Sequence, residues 1–324
     1  MVVEETGRIG YMKHIKTNYS PVFRIHLFWI AFYAFQVQGQ QNLSREIDFV
    51  SDTQAPMWIE KVFLRSNQNE KATKLIFTEI QKEKPQSLFI LGDVVSLSYK
   101  EKKWKNIDQY IKHLRDSGTS VTALMGNHDV MTRAEKGRVN FEKRFPLHVK
   151  TGYYVIVDSI AIVLLNSNFK KLSSSEILKQ KSWLEVALKA LDHDPAVQTV
   201  IVTCHHPPYT NSKIVHSSKE VQQYFVPAFI QSEKARLFIT GHSHNFEHFK
   251  KQSKDFLVIG GGGGLHQPIK PSSDELNDIS GDYKPMFHYL KVRRDKNELL
   301  VTSFYLKDDF SGFEKGKTFG VPFN

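Results

Sequence analysis

The sequence predicts an α/β fold with a parallel β-α-β-α-β start and an antiparallel end. Three observations carry that expectation. Short, wholly apolar runs such as Leu88-Phe89-Ile90-Leu91 suit strands buried on both faces. Longer segments of helical period separate the early runs. The last two runs, 288–292 and 299–305, follow one another without a helix between them.

In chain order, Ile47-Asp48-Phe49-Val50-Ser51 is the first strand. Residues 57–83 carry a helical pattern (Ile59, Val62, Phe63, then Leu75, Ile76, Ile80), broken near Ser66-Asn67. Residues 88–91 form a buried strand ended by Gly92. Residues 101–116 read as an amphipathic helix with Trp104, Ile107, Tyr110, Ile111 and Leu114 on one face. Residues 121–125 are the third strand, so right-handed parallel crossovers follow. Two runs, 153–157 and 160–165, joined at Asp158-Ser159, read as a hairpin. Ser173-Ser174-Ser175-Glu176 is a capping box opening a helix over 174–193. A strand at 198–203, a helix at 219–232 and strands at 237–240 and 256–259 come next. The segment 267–285, rich in Pro, Ser, Asp and Gly, reads as a long surface loop. There is no internal repeat and no linker, so residues 40–324 are expected to form one domain.

With 40% hydrophobic and 24% charged residues, the composition excludes a disordered chain, a collagen-like repeat and a polytopic membrane protein. A single cysteine, Cys204, excludes an intramolecular disulfide framework and a Cys-rich zinc site. The net charge of +10 favours anionic partners in general, but no long basic run marks a binding tail. Residues 1–39 have the layout of a signal peptide: Lys13, Lys16 and Arg24 precede an apolar stretch from Ile25 to Val37, and Val37-Gln38-Gly39 offers a cleavage site. The stretch is shorter than the ~20 residues of a spanning helix. Met12 is an alternative start. A periplasmic or secreted protein, with no stable membrane span after cleavage, is the expectation, and a tilted membrane anchor is the alternative.

Five polar clusters each follow a strand: Asp52-Thr53-Gln54, Gly92-Asp93, Gly126-Asn127-His128-Asp129, Cys204-His205-His206-Pro207-Pro208 and Gly241-His242-Ser243-His244. Loops at the carboxyl ends of parallel strands converge on one crevice. The convergence gathers carboxylates, amides and imidazoles, a donor set suited to Mn, Fe, Zn or Co rather than Ca. Taken singly, Asp52 or Asp93 reads as a turn residue, Asn127 as a turn cap, and His242 and His244 as polar loop residues. Their joint occurrence in this order is what points to chemistry.

In that order the clusters resemble the calcineurin-like metallophosphoesterase superfamily, over roughly residues 45–307. The resemblance implies an αββα architecture: a β-sandwich of two mixed sheets flanked by helices, with metals at one edge. It implies two divalent or mixed-valence metal ions (Mn, Fe or Zn). Asp52, Gln54 and His244 would hold one, Asn127, His205 and His242 the other, and Asp93 would bridge them. A hydroxide held by the metals attacks phosphorus in this family. His128 would then stabilise the transition state or protonate the leaving oxygen. Asn127, His128 and His206 are candidate substrate contacts. The chain departs from the commonest pattern in two places. Gln54 stands where His is usual, as in Asp-x-Gln branches, and tilts the first site toward Mn or Fe(II). Ser96 stands where protein phosphatases have an Asp that orients the catalytic His, and where purple acid phosphatases have a metal-binding Tyr. Asp129 is therefore a candidate to orient His128.

The expected activity is metal-dependent hydrolysis of a small phosphorylated substrate, ester or anhydride, outside the cytoplasm. Nucleic acid is disfavoured, since no aromatic-plus-basic platform is evident. The alternatives are a nuclease-like phosphodiesterase and a non-catalytic scaffold on the same fold. A scaffold would be expected to lose ligand histidines, and here all are present. Cys204 reads as a buried thiol, His248 and His266 as surface or rim residues, and the run Gly260–Gly264 as backbone passing close to the metals. Asn168, Phe169 and Tyr209 are candidates for the pocket wall.

Overall fold

The computed structural model describes residues 44–270, 276–281 and 286–323. The expected signal segment, residues 1–39, lies outside the described residues, as do parts of the 267–285 loop. No helix among the described residues is long and apolar enough to cross a membrane.

Among the described residues, twelve strands form two six-stranded mixed sheets. The first sheet takes β1 (Ser44–Val50), β2 (Pro85–Leu91), β3 (Ser120–Leu124), β10 (His288–Asp295), β11 (Glu298–Leu306) and β12 (Phe313–Pro322), in the order β12-β11-β10-β1-β2-β3. The second takes β4 (Tyr153–Val157), β5 (Ile160–Leu164), β6 (Thr199–Thr203), β7 (Ala235–Thr240), β8 (Phe246–Lys251) and β9 (Lys254–Ile259), in the order β4-β5-β6-β7-β9-β8. In the first sheet β1, β2 and β3 run parallel and β10, β11 and β12 pair antiparallel; in the second β5, β6, β7 and β9 run parallel and the outer β4 and β8 antiparallel. Helices α1 (Asn69–Glu83), α2 (Lys105–Asp116) and α3 (Ala134–Glu142) come from the chain of the first sheet. Helices α4 (Ser174–His193), α5 (Lys219–Tyr224) and α6 (Val226–Gln231) come from that of the second.

Alternation along the strands explains the layers. On β1, Ile47 and Phe49 join the core between the sheets, while Val50 joins the core under α1 and α2. On β6, Ile201 faces the inter-sheet core and Val200 and Val202 face α4. The result is the αββα layering expected from the resemblance. Phe49 and Phe89 stack at 5.3 Å in the middle of the sandwich.

Several elements differ from the reading of the sequence. The 57–83 segment is helical only from Asn69. Its first part is a single 3-10 turn, Glu60–Val62, with no buried residue, because Trp58, Val62 and Phe63 point to solvent and give a helix no face to bury. The 219–232 helix is two short helices meeting at Phe225, since Pro227 in the first turn of α6 cannot continue the α5 ladder. Helix α3 and strands β8 and β12 carried no periodic signal. Lys250 and Lys251 disguise β8, and two glycines and alternating charges disguise β12, both edge strands. The β4–β5 hairpin turns through Asp158 and Ser159, both at positive φ, as a two-residue turn requires. The Ser173–Glu176 capping box is fully formed.

Two substitutions test this layering. Phe89→Ala should cost about 3–5 kcal/mol of unfolding free energy in urea titrations, since it empties the inter-sheet core. Ser173→Ala, which removes only a helix cap, should cost about 1 kcal/mol.

Candidate metal centre and active site

The carboxyl ends of β1, β2, β3, β6 and β7 meet at one edge of the sandwich, and each of the five polar clusters begins there. Three of the expected ligands sit in left-handed turns as the strands end: Asp52 at φ 60°, Asp93 at φ 49° and His242 at φ 66°. Side chains other than Gly rarely adopt this conformation, and it is characteristically stored at functional sites. Hydrogen bonds hold these turns. Asp52 N–H donates to the Gly92 carbonyl and Gln54 N–H to the Asp93 carbonyl, continuing the β1–β2 ladder into the loops.

The two sheets are joined across this edge by polar contacts. His205, after β6, donates from Nδ1 to the Leu91 carbonyl on β2 at 2.9 Å. His242, after β7, donates its N–H to Asp52 Oδ2 at 2.9 Å. Asp93 Oδ1 accepts the His128 N–H at 2.8 Å. Asp93 Oδ2 lies 3.3 Å from His205 Nε2, which is 3.1 Å from Asn127 Oδ1. One ligand atom each from Asp93, His205 and His242 lies within 4.8 Å of the other two. Beside this group, His244 donates from Nδ1 to the Leu265 carbonyl, leaving Nε2 3.3 Å from Asp52 Oδ1. Gln54 is buried next to them.

The chemistry of the donor set fits a cation. With Nδ1–H committed to Leu91, neutral His205 turns a lone pair toward two oxygens that also carry lone pairs. Such acceptors repel unless a proton or a cation lies between them. The charges respond accordingly. Burial opposes ionisation of His205, but Asp93 and Asp52 push it up to about 9. Burial likewise opposes ionisation of Asp93, yet His205 and His128 hold it well below the ordinary carboxylate range. Burial and the neighbouring imidazoles push His242 well below its usual value and His206 down to about 3. The rings of His205, His206 and His242 lie 4.4–5.0 Å apart, so they cannot all be charged.

His128 reaches over this centre from the β3 loop. Its Nε2 lies 3.9 Å from Asp93 Oδ2 and 3.5 Å from Glu60 Oε1. Asp129 is not placed to orient it. Instead, the Asp129 carboxylate is buried behind the loops and accepts from Val94 N–H, Val95 N–H, Gly126 N–H and the Ser98 hydroxyl. It clamps the Asp93 turn to the Asn127 turn. Burial and the charge of Asp93 raise its pKa to about 6. The acid facing His128 is Glu60, from the 3-10 turn after β1. No motif in the sequence marks it, because the turn has neither a periodic pattern nor a fixed spacing to the clusters.

The remaining candidates fall on both sides of the site. Asn127 and His242 line two cavities at once. One, of about 520 Å³, is also lined by Ser167, Asn168, Phe169, Lys170, His206 and His216. The other, of about 420 Å³, adds Glu60, Phe63, Asp93, His128, Ile214 and Leu265. His206 is held by Ser167, whose hydroxyl lies 2.8 Å from Nδ1. Tyr209 is buried in the core under the second sheet and lines neither cavity. His248, expected at the surface, is buried: it bonds Asp255 at 2.6 Å and stacks on Phe319. His266 packs on Phe287. Cys204 is buried, and burial pushes its thiol up, which suits an inert core residue. The glycine run passes against the site as expected. A Cβ on Gly264 would overlap the His244 ring, and Gly264 N–H donates to the Asp52 carbonyl.

Comparison with known proteins agrees with this geometry. No curated protein matches the chain by sequence. Solved structures do match its fold. The inner-membrane-complex anchor GAP50 of Plasmodium aligns with a TM-score of 0.65 at 14% identity, over 86% of this chain and 89% of that one. Purple acid phosphatase PPD1 from yellow lupin (Lupinus luteus) aligns with a TM-score of 0.62 at 16% identity over 87% of this chain, which spans only 54% of the lupin protein. A dimetal phosphatase from Danio rerio aligns with a TM-score of 0.54 at 11% identity, over 86% and 99% of the two chains. At these identities the likeness is one of fold. The family model for calcineurin-like phosphoesterases matches residues 46–246, from β1 to the start of β8 and through all five polar clusters. The chain belongs to the calcineurin-like phosphoesterase family.

Proposed function

We propose that the protein is an exported, dinuclear-metal-dependent phosphoesterase that hydrolyses a phosphoester or phosphoanhydride. The observation that carries this is the crowding of acceptor atoms from Asp93, Asn127, His205 and His242, with Asp52 and His244 beside them and His128 above. Asp93, Asn127, His205 and His242 would hold one ion, and Asp52, Gln54 and His244 the other, with Asp93 between. Bound there, the metals would polarise phosphoryl oxygens and acidify a water for attack. His128 presents Nε2 on the cavity side, where it would donate a proton to the leaving oxygen. Glu60 Oε1 faces that nitrogen at 3.5 Å. Asn127 would orient a phosphoryl oxygen, and His206, kept neutral, would hydrogen-bond the substrate rather than repel a metal. The anchor described for the Plasmodium protein is not carried over, because a scaffold has no use for converging ligand atoms. Export rests on residues 1–39 alone.

Metal analysis of purified protein should find two ions per chain, and chelation should abolish hydrolysis of nitrophenyl phosphates. Asp93→Asn should lose both metal and activity; full activity with two metals retained would overturn the bridging role. Mass spectrometry of the exported protein should find Gln40 near its start, whereas a cytoplasmic protein retaining residues 25–37 would refute export.

His128→Ala should lower kcat by about 10²–10⁴-fold with metal content unchanged, and by less for nitrophenolate than for alkoxide leaving groups. Glu60→Gln should lower kcat by about 10–100-fold through His128 and do little in the His128→Ala background, which a double-mutant cycle would read. Asp129→Ala strands three backbone donors and a hydroxyl. It should destabilise the fold by about 3 kcal/mol or more in urea titration and weaken metal binding.

A further inference from the structure

The two cavities meet at the same pair of residues, Asn127 and His242, and differ in the residues that wall them away from that pair. The smaller has an apolar wall of Phe63, Leu64, Ile214, Val215 and Leu265. The 3-10 turn that supplies Phe63 also exposes Trp58, Ile59 and Val62, so the apolar surface continues outward from that wall. The larger cavity carries the two lysines Lys170 and Lys171 with His216, Ser217, Ser218 and the acid Glu220, beside an apolar part from Val130, Met131 and Phe169. One loop builds the partition: Ile214 and Val215 face the apolar side, and His216, Ser217 and Ser218 the polar side. That loop is fixed from behind. Asn211 N–H and the Thr210 hydroxyl donate to Glu247, Ser212 pairs with Ile269 and bonds Gln267, and Lys213 N–H donates to the Pro268 carbonyl. Both volumes fall within the ~300–1,000 Å³ of small-molecule sites.

A phosphorus atom beside Asn127 and His242 would therefore have room for a substituent on each side. A phosphomonoester fills one side only. We propose that the substrate is an amphiphilic phosphodiester, with an alkyl or similarly apolar alcohol in the Phe63–Ile214 chamber and a polar, hydroxylated or anionic group in the Lys170–His216 chamber. The proposal rests on the phosphoesterase reading and adds the substrate class. His128 and Glu60 line the apolar chamber, so the apolar alcohol is the leaving group. Water oxygen bonds to phosphorus, the bond from phosphorus to the apolar alkoxide breaks, and the alkoxide takes a proton from His128, which the attacking water replaces. The products are the alcohol and a polar phosphomonoester.

The test uses the metal-loaded full-length protein with methyl, butyl and octyl esters of glycerol 3-phosphate below their micellar concentrations. Glycerol 3-phosphate and octyl phosphate serve as monoester controls. The expected result is preference for the diesters and a kcat/KM that rises with chain length, by up to about fourfold per buried methylene. Ile214→Ser and Phe63→Ser should flatten that rise, and Lys170→Ala with Lys171→Ala should raise KM for the octyl diester. Calorimetric binding of a non-hydrolysable phosphonate of the octyl ester, tighter than its methyl counterpart, gives a readout independent of turnover. Equal turnover of monoesters and diesters, or no dependence on chain length, would overturn the proposal and leave the phosphoesterase reading intact. Failure to hydrolyse any of these compounds or nitrophenyl phosphates would overturn both.

Discussion

Asp93 is the point at which the two halves of the sandwich depend on each other. It leaves β2 of the first sheet in a left-handed turn and meets His205 and His242, which leave β6 and β7 of the second. Its oxygens, the Asn127 amide oxygen and the His205 ring nitrogen are all acceptors at close range. Facing lone pairs in a buried place are unfavourable without a positive charge among them. In the chain itself that role falls to protons, which is why His205 is driven up and Asp93 down. A metal ion answers the same electrostatic demand with greater charge. The requirement for a cation and the alignment of the sheets are thus two sides of one constraint.

The scaffold is built to hold that alignment. Left-handed φ at Asp52, Asp93 and His242 costs roughly 1–3 kcal/mol each. The dry core between the sheets, with Phe49, Phe89, Ile201, Leu237 and Ile239, offsets such local strain. The polar stitches from His205 to Leu91 and from His242 to Asp52 set the spacing at the open edge. Gly126 belongs to the same device, because a Cβ there would overlap the Asp93 carboxylate. Asp129 completes it from behind by collecting backbone N–H groups from both turns. It therefore braces the loops that carry Asp93 and Asn127 and does not act through His128.

The outer walls of the two chambers come from other segments than this rigid centre. The ligands sit at strand ends, whereas the chamber walls come from the 3-10 turn after β1, the segment after β5 and the loop after β6. Loops of this kind vary in side chain without disturbing the sheets. Glu60 shows how the two regions connect: it belongs to the 3-10 turn that walls a chamber yet faces the His128 imidazole.

Much was legible in the chain as written. The strand-then-cluster order placed Asp52, Asp93, Asn127, His205, His242 and His244 at one edge, because each cluster is local to a strand end and parallel strands must end together. The Ser173–Glu176 cap and the Asp158-Ser159 hairpin were legible for the same reason: their signals span a few residues. Where burial depends on partners far along the chain, the sequence was silent. Edge strands β8 and β12 gain their pairing from neighbours and not from an apolar pattern, and His248 is buried only because β8 brings it against Asp255 and Phe319. The sequence by itself determined the family, the layering and the gathering of the polar clusters at one edge. The tertiary structure alone decided that Asp129 braces loops, that Glu60 faces His128 and that the site opens into two chambers with different outer walls. These are meetings of segments with no shared spacing, and only the packing of the two sheets brings them within reach.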